Sequence, residues 1–312
     1  MANKKLISLV GPTATGKSSL AIALGTKFHL PIVNVDSLLF YSELNIGVAK
    51  PTLTEREAVP HYLIDVTTID KPLNAKDYCQ MTWPILDKLW ERYPAILLVG
   101  GSGFYHRALL YGMFDSTTSS GEILAKSKQL YDRDGISPFI EILEKSDPIS
   151  LQRLHPNDHY RIRRAVEHWW STQTPFSAVM QDMENKKMTN PRWKEMGWQH
   201  LCLYLDQSKV QHQESIERRT QMMLNDGLIQ EVITLLKIYT GKEKPLQSIG
   251  YKEVQSYLSG EISSQENLHA QIVISTRQLA KAQRTWFAKI DKIELTHSQA
   301  LQQAELLISE FL

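Results

Sequence analysis

Residues 11–18 read GPTATGKS and end in a lysine followed by a serine. The string fits G-x-x-x-x-G-K-[ST], a pattern in which backbone N–H groups point at phosphate oxygens. Lys17 adds a positive charge there, and the Ser18 hydroxyl is a ligand for a bound Mg²⁺ ion. We therefore predict a phosphate-binding loop formed by Gly11, Pro12, Thr13, Ala14, Thr15, Gly16, Lys17 and Ser18.

Two further polar side chains follow predicted strands. Asp36 ends the apolar run Ile32–Val35, and Ser102 lies in the glycine-rich string GGSGFY (100–105) after another apolar run. Asp36 at such a position can act as a general base, while the Ser102 hydroxyl holds the other hydrogen of a substrate amine. The alternative is structural: Asp36 and Ser37 form a turn or helix cap, and Ser102 caps the next helix.

The strand before GGSGFY carries no acidic residue at its end. In phosphate-loop ATPases a buried strand usually ends in an acid that supports magnesium and the attacking group. Here AILLV (95–99) runs directly into glycines, and the nearest acid at a strand end is Asp36. This pattern argues against an ATPase but leaves a kinase open, since a kinase could use Asp36 as its base.

The segment 154–170 (LHPNDHYRIRRAVEHWW) concentrates Tyr160, Arg161, Arg163 and Arg164 with two tryptophans. Interleaved cations and aromatic rings suit phosphate contact and base stacking on single-stranded RNA. The alternative is a solvated helix face with a tryptophan in the core.

Cations also occur on two later predicted helices. Arg277, Lys281 and Arg284 lie near one side of 276–289, where charge most often marks the solvated face. Arg219 lies at the edge of a buried helix side, from which it could reach a ligand and bind an anionic group.

The elements that must position these groups alternate between strands and helices. We predict strands over Leu6–Val10, Ile32–Val35, 61–66 (HYLIDV), Ala95–Val99 and Leu201–Leu205, and helices over Ser18–Phe28, 76–93, 208–237 and 265–289. This alternation predicts an α/β protein with a parallel sheet flanked by helices. Ligands in such folds bind beyond the carboxyl ends of the strands, so the loop, Asp36 and GGSGFY should share one crevice.

A helical insertion interrupts this pattern. Residues 122–180 show helical periodicity without strands, and the polar segment 184–191 (ENKKMTNP) follows them. We predict an insertion over 114–191 between two parts of the core, 1–113 and 192–312.

Composition limits the class of protein. The 312 residues carry 35 Lys+Arg against 34 Asp+Glu, a net charge of +1, whereas proteins that coat nucleic acid non-specifically are far more basic. Two cysteines, no long apolar run and no cleavage pattern after MANKKLISLV predict a cytoplasmic protein without a signal peptide or membrane span.

Taken together and in order, the motifs resemble the tRNA dimethylallyltransferase (tRNA isopentenyltransferase) family. They are GPTATGKS, VDS, NIGVAKP (45–51), HYLIDV, LLVGGSGFY, HPNDHYRIRRA, SIGYKE (248–253) and TRQLAKAQRTWF. The resemblance covers nearly the whole chain and implies a P-loop NTPase-like sheet with an inserted all-helical domain.

The resemblance also implies an activity. It is the transfer of a dimethylallyl group from dimethylallyl diphosphate, with Mg²⁺, to the N6 amine of the adenine adjacent to the tRNA anticodon. The loop would then bind diphosphate, with Lys17 and Arg219 on the leaving group, Asp36 accepting the amine proton and Ser102 standing where the family usually has threonine. The resemblance assigns tRNA contact to Asp36, Ser37, Leu38, Leu39, Tyr160, Arg161, Ile162, Arg163, Arg164, Gly250, Tyr251, Lys252, Arg277, Lys281 and Arg284, in a monomer whose insertion grips the anticodon stem-loop.

The sequence departs from the family pattern at Leu39, Ser42, Val48 and Leu124. These departures concern the grip on RNA and not the transfer chemistry. Alternatives are an isopentenyltransferase acting on free adenine nucleotides, a small-molecule kinase and a non-catalytic RNA-binding module. ATP binding by the same loop is also open.

Overall fold

The computed structural model describes residues 4–112, 120–181 and 191–312. The chain divides into a core unit, residues up to Leu110 and from Met196 onward, and a helical unit, Tyr111–Glu195. The predicted first boundary, at 113/114, and residues 184–190 of the predicted polar boundary lie outside the described residues. The function of the helical unit remains a prediction.

The core unit is built on one parallel sheet of six strands in the order β3-β2-β4-β1-β5-β6. The strands are β1 (Lys4–Val10), β2 (Ile32–Asn34), β3 (His61–Tyr62), β4 (Ile96–Gly100), β5 (Trp198–Leu205) and β6 (Ile293–Leu295). The central strands β1 and β4 are runs of buried residues, as expected where helices cover both faces of a sheet. The predicted α/β class with a P-loop NTPase-like sheet is confirmed.

The helices of the core unit flank this sheet. They are α1 (Lys17–Phe28), α2 (Leu53–Ala58), α3 (Ala75–Trp90) and α4 (Gly103–Tyr111, whose last residue starts the helical unit), then α10 (Lys209–Asn225), α11 (Leu228–Leu235), α12 (Tyr251–Leu258), α13 (Gln265–Phe287) and α14 (Ala300–Phe311). The helix predicted over 208–237 is thus two helices, α10 and α11, separated at Gly227.

The register of the strands places the turns that follow β1, β4 and β5 at the same edge of the sheet. Val10 at the end of β1 pairs with Gly100 of β4 on one side and with Tyr204 of β5 on the other. Backbones approach closely here, because a Cβ on Gly11 would lie 2.1 Å from the Leu205 carbonyl oxygen. The turns after β1, β4 and β5 therefore begin side by side.

The strand predicted over 61–66 is wrong beyond its first two residues. Only His61–Tyr62 pair with β2, and Leu63 and Asp65 adopt positive φ angles of 62° and 57°. Side-chain hydrogen bonds stabilise this turned backbone, since the Asp65 carboxylate accepts from Lys50 Nζ at 2.6 Å and from Arg56 Nη1 at 2.7 Å.

The helical unit has a small core of its own. Its helices are α5 (Gly121–Asp134), α6 (Ser137–Ser146), α7 (Pro148–Arg153), α8 (His159–Thr172) and the short α9 (Arg192–Glu195), with residues 176–181 also helical. Fully buried side chains of α6 and α8 pack together: Phe139, Leu143, Ile162, Ala165 and Val166. The described part of this unit contains no strand, as the periodicity predicts.

In the core unit, Ser8 of β1 bridges a buried histidine and a half-buried one. Its hydroxyl lies 2.9 Å from His106 Nε2 and 2.8 Å from His200 Nε2. Burial lowers the pKa of His106 to about 3 and that of His200 to about 4, so both rings are neutral. Cys202 lies beside them, and the three side chains are close enough to share a metal ion. Because the Ser8 hydroxyl already bonds both Nε2 atoms, we assign the cluster to packing.

No described helix combines the length and the apolar character needed to span a membrane.

Candidate active site

The phosphate-binding loop joins β1 to α1 and presents free backbone donors. Within the described residues, the N–H groups of Ala14, Thr15 and Gly16 donate to no protein acceptor. The loop is braced internally, because Thr15 Oγ1 donates to the Pro12 carbonyl at 2.9 Å. Free N–H groups at the beginning of a helix favour an anion through their partial positive charge. The geometry thus suits the predicted phosphate site.

A buried lysine and a half-buried arginine face this loop. Lys17 is 9% exposed and its Nζ donates to the Pro12 carbonyl, while Arg219 Nη1 donates to Thr13 Oγ1 at 3.1 Å. Burial, and secondly repulsion by Arg219, lower the pKa of Lys17 from 10.5 to about 7 against the attraction of Asp36. Neither cation forms an ion pair with any described residue. A buried cation without a carboxylate partner is costly, so the surroundings of Lys17 favour a bound anion.

Asp36 is held rigidly beyond the end of β2. Its backbone N–H donates to Asn34 Oδ1 at 2.7 Å, and Asn34 Nδ2 returns a bond to the Asp36 carbonyl at 2.9 Å. The carboxylate Oδ1 accepts from Leu38 N at 3.1 Å, so Asp36 does form the turn that the structural alternative predicts. Among the described residues nothing donates to Oδ2. That oxygen is free to accept a proton.

Ser102 lies next to this turn. Its Oγ accepts a hydrogen bond from Ser37 N at 3.2 Å, which ties GGSGFY to the segment after β2. The hydroxyl hydrogen is not used in that bond and can be donated to a ligand. Ser102 is thus held close to the Asp36 turn, and the predicted action of both residues on one substrate amine stays a prediction.

Two adjoining cavities meet at this point. One, of about 460 Å³, is lined by the phosphate-binding loop; the other, of about 540 Å³, is lined by Ser102 and by apolar side chains that include Ile216, Met223 and Trp286. Both are lined by Thr13, Asp36, Val48, Gly101, Arg219 and Gln283. The predicted single crevice is thus confirmed, with a carboxylate and a guanidinium on the wall that the two cavities share.

A glutamate explains how the NIGVAKP segment reaches this wall. The Glu231 carboxylate accepts from the backbone N–H groups of Asn45, Ile46 and Gly47 at 2.8–3.3 Å, and from Tyr251 Oη at 2.6 Å. The following residue, Val48, offers its carbonyl to Arg219 Nη2 at 3.5 Å. Glu231 therefore anchors the segment that faces Arg219.

Several residues predicted to contact tRNA are placed otherwise in the core unit. Tyr251 is fully buried with its hydroxyl on Glu231, so the prediction of direct RNA contact is wrong for this side chain. Arg284 is bonded to Asp206 and His212 and is not a free surface cation. Leu38, Leu39 and Gly250 line the two cavities. Lys252, Arg277 and Lys281 are exposed, and their contact with RNA stays a prediction.

Residues of the helical unit divide in the same way. Tyr160 is 75% exposed, and Arg161 is exposed although it pairs with an aspartate one turn earlier. The Ile162 side chain is fully buried in the core of this unit, so the prediction of direct RNA contact is wrong for this side chain. Arg163 lies over the Tyr131 ring at 4.6 Å, and Arg164 pairs with a buried glutamate at 2.6 Å. Arg163 and Arg164 are half-buried, so RNA contact stays a prediction for them as it does for Tyr160 and Arg161.

An acidic residue at a strand end was missed. Asp206 directly follows β5, the neighbour of β1, and its carboxylate accepts two bonds from Arg284 at 2.7 Å. The expectation that Asp36 is the relevant acid at a strand end is therefore incomplete. The signal was present in the sequence, because the predicted strand Leu201–Leu205 ends immediately before this aspartate.

The fold and site define a class: a P-loop NTPase-like protein whose cavity suits an anionic group beside a fixed carboxylate. Comparison with known proteins gives the particular family. The model of the IPP transferase family matches residues 39–290. The tRNA dimethylallyltransferase 2 of Geotalea daltonii is 37% identical over 286 residues, 91% of this chain and 85% of that protein, and the tRNA dimethylallyltransferase of Trichormus variabilis is 38% identical over 93% of each chain.

Solved structures agree with this. The tRNA delta(2)-isopentenylpyrophosphate transferase of Staphylococcus epidermidis is 28% identical with a TM-score of 0.69, over 99% of this chain and 100% of that one. A eukaryotic dimethylallyltransferase acting on tRNA is 25% identical with a TM-score of 0.85, over 99% of this chain and 79% of that one. The chain belongs to the IPP transferase family of tRNA-modifying transferases.

Proposed function

We propose that this protein transfers a dimethylallyl group from dimethylallyl diphosphate to the N6 amine of the adenine next to the anticodon of a tRNA. The observation that carries the proposal is the shared wall of the two cavities. Asp36 and Arg219 lie between a cavity of phosphate-binding groups and a second cavity with apolar walls. A prenyl diphosphate and an aromatic base need that pairing of polar and apolar surfaces.

The diphosphate leaving group is stabilised by the loop and its cations. As the bond between the allylic carbon and the diphosphate oxygen breaks, negative charge grows on the diphosphate. The free N–H groups of Ala14, Thr15 and Gly16, together with Lys17 and Arg219, are already in place to receive it. Fixed donors that meet charge where it develops lower the barrier without reorganisation.

The adenine amine loses one proton during the transfer. Its nitrogen forms the new bond to the allylic carbon, and Asp36 accepts the proton through its free Oδ2. Ser102, tied to the Asp36 turn through Ser37 N, holds the amine in line with its hydroxyl. Products are the N6-(dimethylallyl)adenosine in RNA, diphosphate and the proton on Asp36.

Magnesium fits the oxygen donors at the end of the loop. Ser18 follows Lys17, is exposed and lines the same cavity as the Asp36 carboxylate, and hydroxyl and carboxylate oxygens are ligands that Mg²⁺ prefers. We propose that Ser18 would hold the ion, whose positive charge would add to that of Lys17 on the diphosphate.

We further propose that the helical unit binds the anticodon stem-loop in a cytoplasmic, monomeric enzyme. Tyr160 and Arg161 support this, because an exposed aromatic ring beside an exposed guanidinium suits base stacking and phosphate contact. The target base must leave its stack to reach Asp36, at a cost of a few kcal/mol.

The test is prenyl transfer to an anticodon stem-loop that bears the target adenine, with dimethylallyl diphosphate and Mg²⁺. Mass spectrometry of the RNA should show one added dimethylallyl group. Asp36→Asn should slow transfer sharply while calorimetric binding of inorganic diphosphate stays close to that of the wild type. Transfer to free adenine nucleotides in preference to RNA, or ATP-dependent phosphorylation of a small substrate, would replace the proposal with one of its rivals.

A further inference from the structure

Thr13 of the phosphate-binding loop is held at all three of its polar groups by side chains from distant helices. Its N–H donates to Gln283 Oε1 at 2.8 Å, its carbonyl accepts from His212 Nε2 at 2.8 Å, and its hydroxyl accepts from Arg219 Nη1 at 3.1 Å. Gln283 also donates to the Gly101 carbonyl at 3.0 Å. The loop is therefore fixed from outside, at the residue just before its free donors.

The contacts of His212 define its tautomer. Nε2 faces a carbonyl oxygen and must donate, whereas Nδ1 lies 2.8 Å from Arg284 Nη2, a group that can only donate, and must accept. A neutral ring with the proton on Nε2 is the one form that satisfies both partners. Burial lowers the pKa of His212; Arg284 and Lys17 lower it further, against the Thr13 carbonyl and Asp206.

Asp206 fixes the guanidinium of Arg284, which donates to Nδ1 of His212. Its carboxylate accepts from Arg284 Nε and Nη2, both at 2.7 Å, and also from Tyr204 Oη and Gln207 N. A two-point pair of this kind orients a guanidinium as well as binding it. A chain of contacts thus runs from the end of β5 through α13 and α10 to the loop.

His212 and Arg219 also share one face of α10. They are seven residues apart, two helical turns, and both contact Thr13. Whatever displaces the Thr13 peptide displaces the partner of Arg219 as well. The position of the Arg219 guanidinium therefore depends on the same contact between His212 and Thr13 that holds the loop.

We propose that His212, oriented by Asp206 and Arg284, is a positioning residue for the diphosphate. It fixes the Thr13 peptide so that the loop donors and Arg219 converge on one anion. The proposal rests on the transferase function proposed above. It also assigns a role to two residues of the TRQLAKAQRTWF motif: Gln283 and Arg284 support the loop instead of contacting RNA.

The test compares His212→Leu, His212→Gln and His269→Leu. His269 is the matched control, because its Nε2 donates to the Glu217 carbonyl at 3.1 Å across the same pair of helices, α10 and α13, away from the loop. Leucine removes both polar contacts of His212. Glutamine retains one acceptor and one donor on a planar group, so it should restore the loop in part.

We expect His212→Leu to raise the KM for dimethylallyl diphosphate by about tenfold to a hundredfold, the cost typical of a misplaced binding group, with the KM for RNA unchanged. His212→Gln should recover much of this loss, and His269→Leu should match the wild type. Calorimetry with inorganic diphosphate and Mg²⁺ should show the same order of affinities.

Equal diphosphate affinity in His212→Leu and wild type would overturn the inference. So would a loss that glutamine does not relieve, or one accompanied by a fall in thermal stability and in affinity for both substrates, since these indicate a merely structural role. An inactive wild type that still binds diphosphate would instead refute the transferase function, and the binding comparison would still decide the role of His212.

Discussion

Lys17 makes ligand binding and folding respond to pH in opposite directions. Burial, with Arg219 second, lowers the pKa of its amine from 10.5 to about 7 in the absence of a bound anion. At roughly 1.4 kcal/mol per pH unit, this drop corresponds to about 5 kcal/mol of unfavourable interaction for the charged form. We expect an anion on the loop to reduce that cost, so that the pKa of the Lys17 amine would rise when diphosphate binds.

The sign of each effect follows from proton counting. Between pH 7 and about 10 the unfolded chain holds the Lys17 proton and the folded protein does not, so the free energy of unfolding rises by up to about 1.4 kcal/mol per pH unit. Diphosphate needs the protonated amine, so its Kd should increase toward tenfold per unit above pH 7. Stability and affinity therefore change in opposite senses over one pH window.

Two substitutions separate these effects from the titration of other groups. Lys17→Arg keeps the charge throughout, so calorimetry from pH 7 to pH 9 should show a much smaller slope in diphosphate affinity than for the wild type. Lys17→Met has no titrating group, and urea unfolding without ligand should lose the Lys17 contribution to the rise of stability with pH. Equal affinity slopes in wild type and Lys17→Arg would refute the reasoning, because they would assign the slope to the ligand.

Three further outcomes test the contacts around the site, each by urea unfolding at pH 7. Gly47→Ala should cost about 1–3 kcal/mol, because a Cβ there would lie 2.6 Å from the buried Tyr251 ring; a neutral effect would mean that the ring moves freely. Glu231→Ala should cost about 3 kcal/mol, since it leaves the Tyr251 hydroxyl and backbone N–H groups without their acceptor, whereas Tyr251→Phe should cost about 1 kcal/mol; similar losses would contradict the anchoring role. Ser8→Ala should cost about 1–3 kcal/mol by removing the hydroxyl that bonds both imidazoles, and an unchanged stability would show that these two bonds contribute little.

Local sequence patterns predict the frame of the site well. The phosphate-binding loop, β1, α1 and β4 follow from short-range rules, because buried parallel strands read as continuous apolar runs and a glycine-lysine turn begins a helix. The placement of Asp36 and GGSGFY in one crevice follows as well, since parallel strands end at one edge of the sheet. The strand prediction for HYLIDV was wrong because hydrogen bonds from Lys50 and Arg56 to Asp65 hold the backbone in a turn. A pattern of apolar residues cannot reveal such bonds.

The sequence by itself therefore determined the fold class, the loop and the order of the motifs, which depend on neighbours along the chain. Tertiary structure alone decided which cations face the ligand: Arg284 turns to Asp206, seventy-eight residues away, and Arg219 reaches Thr13 across 206 residues. It also buried Tyr251 against Glu231 and brought His212 to the loop. The physical reason is that a charged or polar side chain on a helix is equally consistent with solvent or with a buried partner, and only the packed fold supplies that partner.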